Sequence, residues 1–211
     1  MTAAGLYLHI PFCSSRCSYC DFATGLYNQE LAERYVRALV ADIRSSRQVG
    51  DSVDTIYFGG GTPSLLTPSQ LEVILACVYD CFKIDSQSEI TLEINPGSVN
   101  EEKLRAFRSL GVNRASFGAQ TFDDAELAKL GRSHTTADTL KTFADLRGVG
   151  FENVSFDLIA GLPGQTLDGW QRNIPVSNAL YRLRFLPIST MWSSSSLTLV
   201  ASSRSKAASI L

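Results

Sequence analysis

The chain has 211 residues, 45% of them apolar and 19% charged, with a formal net charge of −2. That is the balance of a soluble globular protein long enough to bury a core, and it gives no reason to expect nucleic acid or an anionic membrane as a partner. The N-terminal MTAAGLYLHIPFC has no basic segment and no unbroken apolar run, no later run reaches the length of a membrane span, and five cysteines fit a reducing cytoplasm better than a disulfide framework.

In chain order, Leu6–Ile10 predicts a first strand and runs into HIPFCSSRCSYCDF, which places Cys13, Cys17 and Cys20 within eight residues. Gln29–Arg47 predicts a helix, with Leu31, Tyr35, Val36, Leu39, Val40 and Ile43 at three- and four-residue spacing. Val53–Phe58 predicts a second strand that exits through Gly59-Gly-Gly-Thr-Pro63. Thr67-Pro68 reads as an N-cap followed by proline at the first helical position, opening a helix over Pro68–Phe82. Cys77 and Cys81, four apart on that helix, read as core residues. Glu89–Ile94 predicts a third strand, carrying Glu93 and exiting through Asn95-Pro96. A helix over Asn100–Leu110 follows, with Gly111 at its C-cap. Arg114–Phe117 predicts a fourth strand that exits through Gly118-Ala-Gln120-Thr-Phe122; Arg132 and His134 lie in the next loop, where His134 reads as a surface residue. Thr136–Arg147 predicts a helix and Val154–Ile159 a fifth strand, with Asp157 ahead of Gly161-Leu-Pro-Gly-Gln-Thr166, where a sixth helix begins.

Near residue 174 the composition changes. From Pro175 to Leu211 there is no Asp or Glu, four basic residues and ten serines, against 15 basic and 21 acidic residues before it. Residues 1–174 are therefore expected to form the domain. The stretch Ala179–Trp192 could supply one more strand, and Ser193–Leu211 is expected to be disordered or loosely packed.

Strand–helix alternation at this spacing implies a parallel sheet in an α/β fold, and chemistry in such folds collects at the carboxyl ends of the strands. Each exit here brings polar groups or flexible backbone to that rim. Three closely spaced thiols suit an iron–sulfur cluster with one iron open to a small molecule; zinc, with His9 as fourth ligand, and unliganded thiols are the alternatives. The Gly59–Gly61 run fits neither the dinucleotide nor the phosphate-loop pattern, leaving close approach of a ligand to bare backbone, or a plain tight turn. Glu93 and Asp157 sit in apolar runs, where an unpaired charge is expensive; they either pair with Arg114 or Arg132 or face a polar ligand, with Gln120 beside them.

With Tyr19 just before the last Cys and Gly-Gly-Gly-Thr-Pro on the second strand exit, these residues resemble the radical S-adenosylmethionine (SAM) superfamily. Tyr7-Leu-His-Ile-Pro-Phe-Cys13, Phe58-Gly-Gly-Gly-Thr-Pro63, Ser116-Phe-Gly-Ala-Gln-Thr-Phe122 and the stretch from Phe156 to Thr166 are similar to the branch that contains oxygen-independent coproporphyrinogen oxidase (HemN) and the haem chaperone HemW. The resemblance runs from about Leu6 to about Asn173. It implies a partial (β/α)6 TIM-like barrel, its sixth unit incomplete or aberrant, holding a [4Fe–4S] cluster on Cys13, Cys17 and Cys20. SAM takes the fourth iron, and the implied SAM contacts are Tyr7, Tyr19, Gly60, Gly61, Thr62, Glu93, Gln120, Arg132 and Asp157. Electron transfer from the cluster would cleave SAM to methionine and a 5′-deoxyadenosyl radical. The oxidase pattern continues C-x-C after the third Cys, whereas Phe22 stands here, which resembles the HemW group. The resemblance thus implies a cytoplasmic HemW-like chaperone that binds haem or a porphyrin and meets a haem-acceptor protein. A coproporphyrinogen oxidase, an inactive fragment and a zinc module are the alternatives. Family members continue well beyond this chain's length, so a shortened chain with an aberrant Ser-rich tail over 175–211 is also expected.

Overall fold

The computed structural model describes residues 4–46, 52–181 and 197–201. Its central sheet holds five parallel strands in the order β1 (Ala4–Ile10), β4 (Ser52–Gly60), β5 (Lys83–Ile94), β6 (Arg114–Gln120) and β7 (Asn153–Ala160). Helices α1 (Gln29–Ser46), α2 (Pro68–Cys81), α3 (Glu101–Ser109) and α5 (Thr136–Gly148) connect successive strands, with a short α4 (Asp124–Lys129) ahead of α5 and α6 (Leu167–Tyr181) after β7. Two-residue strands β2 (Phe12–Cys13) and β3 (Gly25–Leu26) pair in parallel beside β1. β8 (Leu197–Ala201) adds antiparallel to β7, so the described sheet does not close and a parallel sixth strand is not part of it. α6 crosses the composition change at residue 174 and continues through Pro175; residues 182–196 and 202–211, with most of the expected extra strand and Ser-rich tail, lie outside the described residues.

The sheet is two-faced, and strand periodicity explains it. Leu8, Ile10, Ile56, Phe58, Ile90, Leu92, Ile94, Ala115, Phe117, Val154, Phe156 and Leu158 are all buried. They join Val36, Val40, Leu71, Ile74, Leu104, Phe107 and Leu146 of the helices in one core. The alternate positions line the other face. Register sets Tyr7, Tyr57, Thr91, Arg114 and Asn153 in one row, and His9, Gly59 and then Glu93, Ser116 and Ser155 in the next.

Local chemistry fixes the ends of the elements. Thr67 and Gln70 form a reciprocal capping box at α2, Asn100 caps α3, and Thr135 with Asp138 caps α5. Gly111 takes φ +102° after α3, the left-handed turn glycine adopts freely. Cys77 is buried with its Sγ 4.0 Å from that of Cys81, core residues as expected. Phe117 packs at tilted angles between Phe143 and Phe156 at 1% exposure. Phe117→Ala should cost about 3–5 kcal/mol in urea unfolding, the usual cost of a buried aromatic.

Candidate functional site

The cysteine loop is tied down at both ends and in the middle. Gly61 N donates to Ile10 O at 2.8 Å and Thr62 N to Phe12 O at 2.6 Å, fixing its start to the β4 exit. Its far end returns through Gly25 N to Pro11 O and Tyr27 N to Cys13 O, at 2.7 and 2.8 Å. Ser18 N reaches Leu130 O, beyond α4, at 3.2 Å, and Cys20 N closes a turn onto Cys17 O. All three thiols are free and partly exposed, on one loop over the strand ends. Among the described residues no three His, Cys, Asp or Glu side chains are gathered at metal-binding spacing.

His9 does not reach for the loop thiols as a zinc ligand. Its Nδ1 shares a hydrogen bond with Tyr7 Oη at 3.1 Å, and its Nε2 meets Ala23 O at 3.0 Å. With both ring nitrogens engaged, and Cys77 and Cys81 away on α2, the loop offers three thiol donors that no fourth ligand joins among the described residues. That donor set suits a cluster with one iron open to an outside ligand better than a closed tetrahedral zinc site.

The glycines beside the loop leave backbone bare. Gly60 has φ +114°, and a Cβ there would come within 2.5 Å of the His9 ring. A Cβ on Gly61 would lie 2.6 Å from Phe12 O, so neither position admits a side chain without displacing the loop. Thr62, 1% exposed, accepts at Oγ1 from Asn95 Nδ2 at 2.9 Å. Asn95 Oδ1 in turn accepts from Arg132 Nη1 at 3.3 Å, and the Arg132 guanidinium lies 5.9 Å over the Tyr19 ring. A polar relay thus joins Thr62, Asn95, Arg132 and Tyr19 across three strand exits. Arg132 Nε is buried and unpartnered among the described residues.

A second group gathers around Glu93. Its Oε1 accepts from Tyr57 Oη at 2.7 Å and its Oε2 from Gly60 N at 3.1 Å, while Tyr7 stacks on Tyr57 with centroids 6.0 Å apart. Asp157 has no hydrogen bond or ion pair among the described residues. Arg114 instead bonds Thr91 and Ser155 and pairs with Glu89 at 3.6 Å. Neither carboxylate is therefore the satisfied ion pair that the sequence left open. Burial pushes both above the usual carboxylate range. The Tyr57 and Gly60 hydrogen bonds oppose that for Glu93, and the Arg114 and Arg132 charges oppose it for Asp157. Burial likewise raises the Tyr19 phenol against the pull of Arg132, and raises Tyr57, helped by Glu93. Gln120 is 7% exposed and its amide makes no hydrogen bond among the described residues.

The expected residues thus converge on one rim, Tyr7 lowest on the polar face and Asp157 furthest from the thiol loop in strand order. The sequence reading erred on His134, which is 6% exposed: it is buried because the loop after α4 folds back under the β6 exit. It also passed over Tyr57 and over Asn95 as a linking group. Strand parity was a signal for Tyr57, which shares a face with Gly59.

Comparison with known proteins follows this geometry. The family model of the radical SAM superfamily matches residues 7–173. Over 162 residues the chain is 41% identical to the heme chaperone HemW of Lactococcus lactis, covering 77% of this chain and 42% of that protein. It is 41% identical over 176 residues to the mouse radical S-adenosyl methionine domain-containing protein 1, mitochondrial, covering 82% of this chain and 40% of that one. The solved structure of coproporphyrinogen III oxidase (HemN) from Escherichia coli superposes with a TM-score of 0.77 at 28% identity, over 83% of this chain and 41% of that chain. The chain spans less than half the length of these relatives.

The raised carboxyls have a measurable consequence. A folded pKa above the unfolded one contributes stability that is fully present below the unfolded pKa and is lost as pH rises through the folded value. Asp157→Asn removes that loss without breaking a hydrogen bond. It should stabilise the ligand-free protein more around neutral pH than around pH 5, as read from urea midpoints. A Cβ at Gly118 would collide with Gln120 Nε2 and lie 2.7 Å from Arg132 Nη2, both ends of flexible side chains. Gly118→Ala should therefore displace both groups while costing under about 1 kcal/mol of stability, as read from urea midpoints.

Proposed function

The chain belongs to the radical SAM superfamily, in the branch that contains HemN and HemW, and from that premise we propose that it binds a [4Fe–4S] cluster and SAM and serves as a HemW-like haem chaperone. The observation that carries this reading is the three-thiol loop, pinned through Phe12 and Ile10 to a glycine exit whose Gly60 N is held by Glu93. Cys13, Cys17 and Cys20 would hold three of the irons. When bound, the cluster supplies the electron for reductive cleavage of SAM.

The remaining residues bind and orient. SAM carries a sulfonium and an ammonium group, and Glu93 and Asp157 supply the negative charge to meet them; that encounter would draw both carboxyls back to the ionised form. Gly60, Gly61 and Thr62 offer backbone to the methionine portion. Tyr19, held under Arg132, offers a ring face to the adenine, with Tyr7, Gln120 and Arg132 completing the polar contacts. Phe22, 66% exposed beside the loop, stands where the oxidase pattern has a further Cys. This favours the chaperone over the oxidase, although the likeness to the HemN structure keeps oxidation of coproporphyrinogen as a second reading. Haem or a porphyrin and an acceptor protein are the partners this reading needs. No described helix is long and apolar enough to cross a membrane, and we place the activity in the cytoplasm, where free cysteines are the usual state.

Anaerobic reconstitution with iron and sulfide tests the proposal. About four irons per chain, a visible absorption that bleaches on reduction, and loss of both in Cys17→Ala are expected. Stoichiometric zinc without iron would refute it. Haem binding without coproporphyrinogen turnover separates chaperone from oxidase.

A further inference from the structure

Among the described residues, Gln120 is the one non-glycine with positive φ, at +64°. Thr121 N donates to Ala119 O at 2.8 Å, so Gln120 is the centre of an i→i+2 turn of the rare, strained hand. Such strain, of order 1–3 kcal/mol, persists only where the surroundings over-determine it. Glycine would sit there without strain, yet the position holds an amide.

Two side chains grip the turn from opposite sides. Asn173, 2% exposed on α6, accepts at Oδ1 from Phe122 N at 2.6 Å, while its Nδ2 donates to Gly169 O. On the other side the buried His134 ring lies within reach of the Ala119 backbone, its Nε2 without a partner among the described residues. The grip extends further. Thr121 Oγ1 donates to Glu126 Oε2 at 2.5 Å, Gln165 Nε2 donates to the same oxygen at 3.0 Å, and Gln165 Oε1 accepts from Gly161 N at 2.8 Å. The Gly161–Thr166 stretch thereby braces the turn from the β7 exit. The turn lays the Gln120 amide against the bare face of Gly118, beside Arg132.

We propose that Asn173 and His134 are positioning residues that lock Gln120 in its left-handed turn and so present its amide, next to Arg132, to SAM. The inference rests on the SAM-binding reading above and adds to it how one of the contacts is held. Neither residue touches the ligand; both act through residue 120.

The test uses the full, anaerobically reconstituted chain, with SAM as the probe in calorimetry and amide hydrogen exchange as the second readout. Asn173→Ala and His134→Ala should each raise the SAM Kd about tenfold, a change of about 1.4 kcal/mol. Exchange at Thr121 and Phe122 should accelerate by a similar factor while iron content stays constant. His134→Asn keeps a polar side chain on that side of the turn and should restore affinity to within about twofold. In a Gln120→Gly background, Asn173→Ala should weaken SAM no further, because a residue acting through another loses its effect when that one is gone. Additive losses, or faster exchange with an unchanged Kd, would make the grip merely structural and overturn the proposal. Wild-type protein that binds a cluster but no SAM would instead overturn the SAM-binding reading, and the presentation of the amide with it, while the exchange data still decide whether the turn is locked. Should Asn173→Ala fail to fold, the His134 pair carries the same decision.

Discussion

The 2.6 Å hydrogen bond from Thr62 N to Phe12 O decides where the cysteine loop sits relative to everything else. It is available because Gly61 brings no Cβ: any side chain there would strike the Phe12 carbonyl. Once the loop is held, Thr62 hands the connection on through Asn95 to Arg132 and so to Tyr19. The thiol loop, the glycine exit and the Tyr19 ring are thereby linked by a continuous chain of contacts.

The polar face of the sheet divides into two levels with different energetics. In the lower one, Arg114, Glu89, Thr91, Asn153, Ser155 and Ser116 satisfy one another through hydrogen bonds of 3.0–3.3 Å. A buried polar network of this kind is stabilising only when its members are paired, and here they are. The upper level is different: Asp157, the Gln120 amide and Arg132 Nε have no hydrogen-bond partner among the described residues. Polar groups left so, at the carboxyl ends of parallel strands, are where a ligand could supply the missing partners. The contrast separates a scaffold from a binding surface more sharply than any single residue does.

Periodicity made most of the scaffold legible in the sequence, because alternation and three-to-four spacing report burial directly. It failed where burial is not periodic. α4 spans only six residues, too few for a helical period to show, and β5 extends back to Lys83 through a polar, largely exposed first half that carries no apolar run to mark it. The site was legible in its thiols, glycines and carboxylates, whose types are unusual where they stand. His134 and Asn173 were not, since each owes its role to a partner distant in sequence. The buried histidine in particular looks like any loop residue until the β6 exit folds over it.

The central claim is that three cysteines leave one iron of a cluster to SAM rather than to protein. Electron paramagnetic resonance of the reduced, reconstituted chain, recorded with and without SAM, reads that iron directly. The account predicts a [4Fe–4S]+ signal whose g-values shift on adding SAM, and less so in Asp157→Asn. A spectrum indifferent to SAM would contradict it.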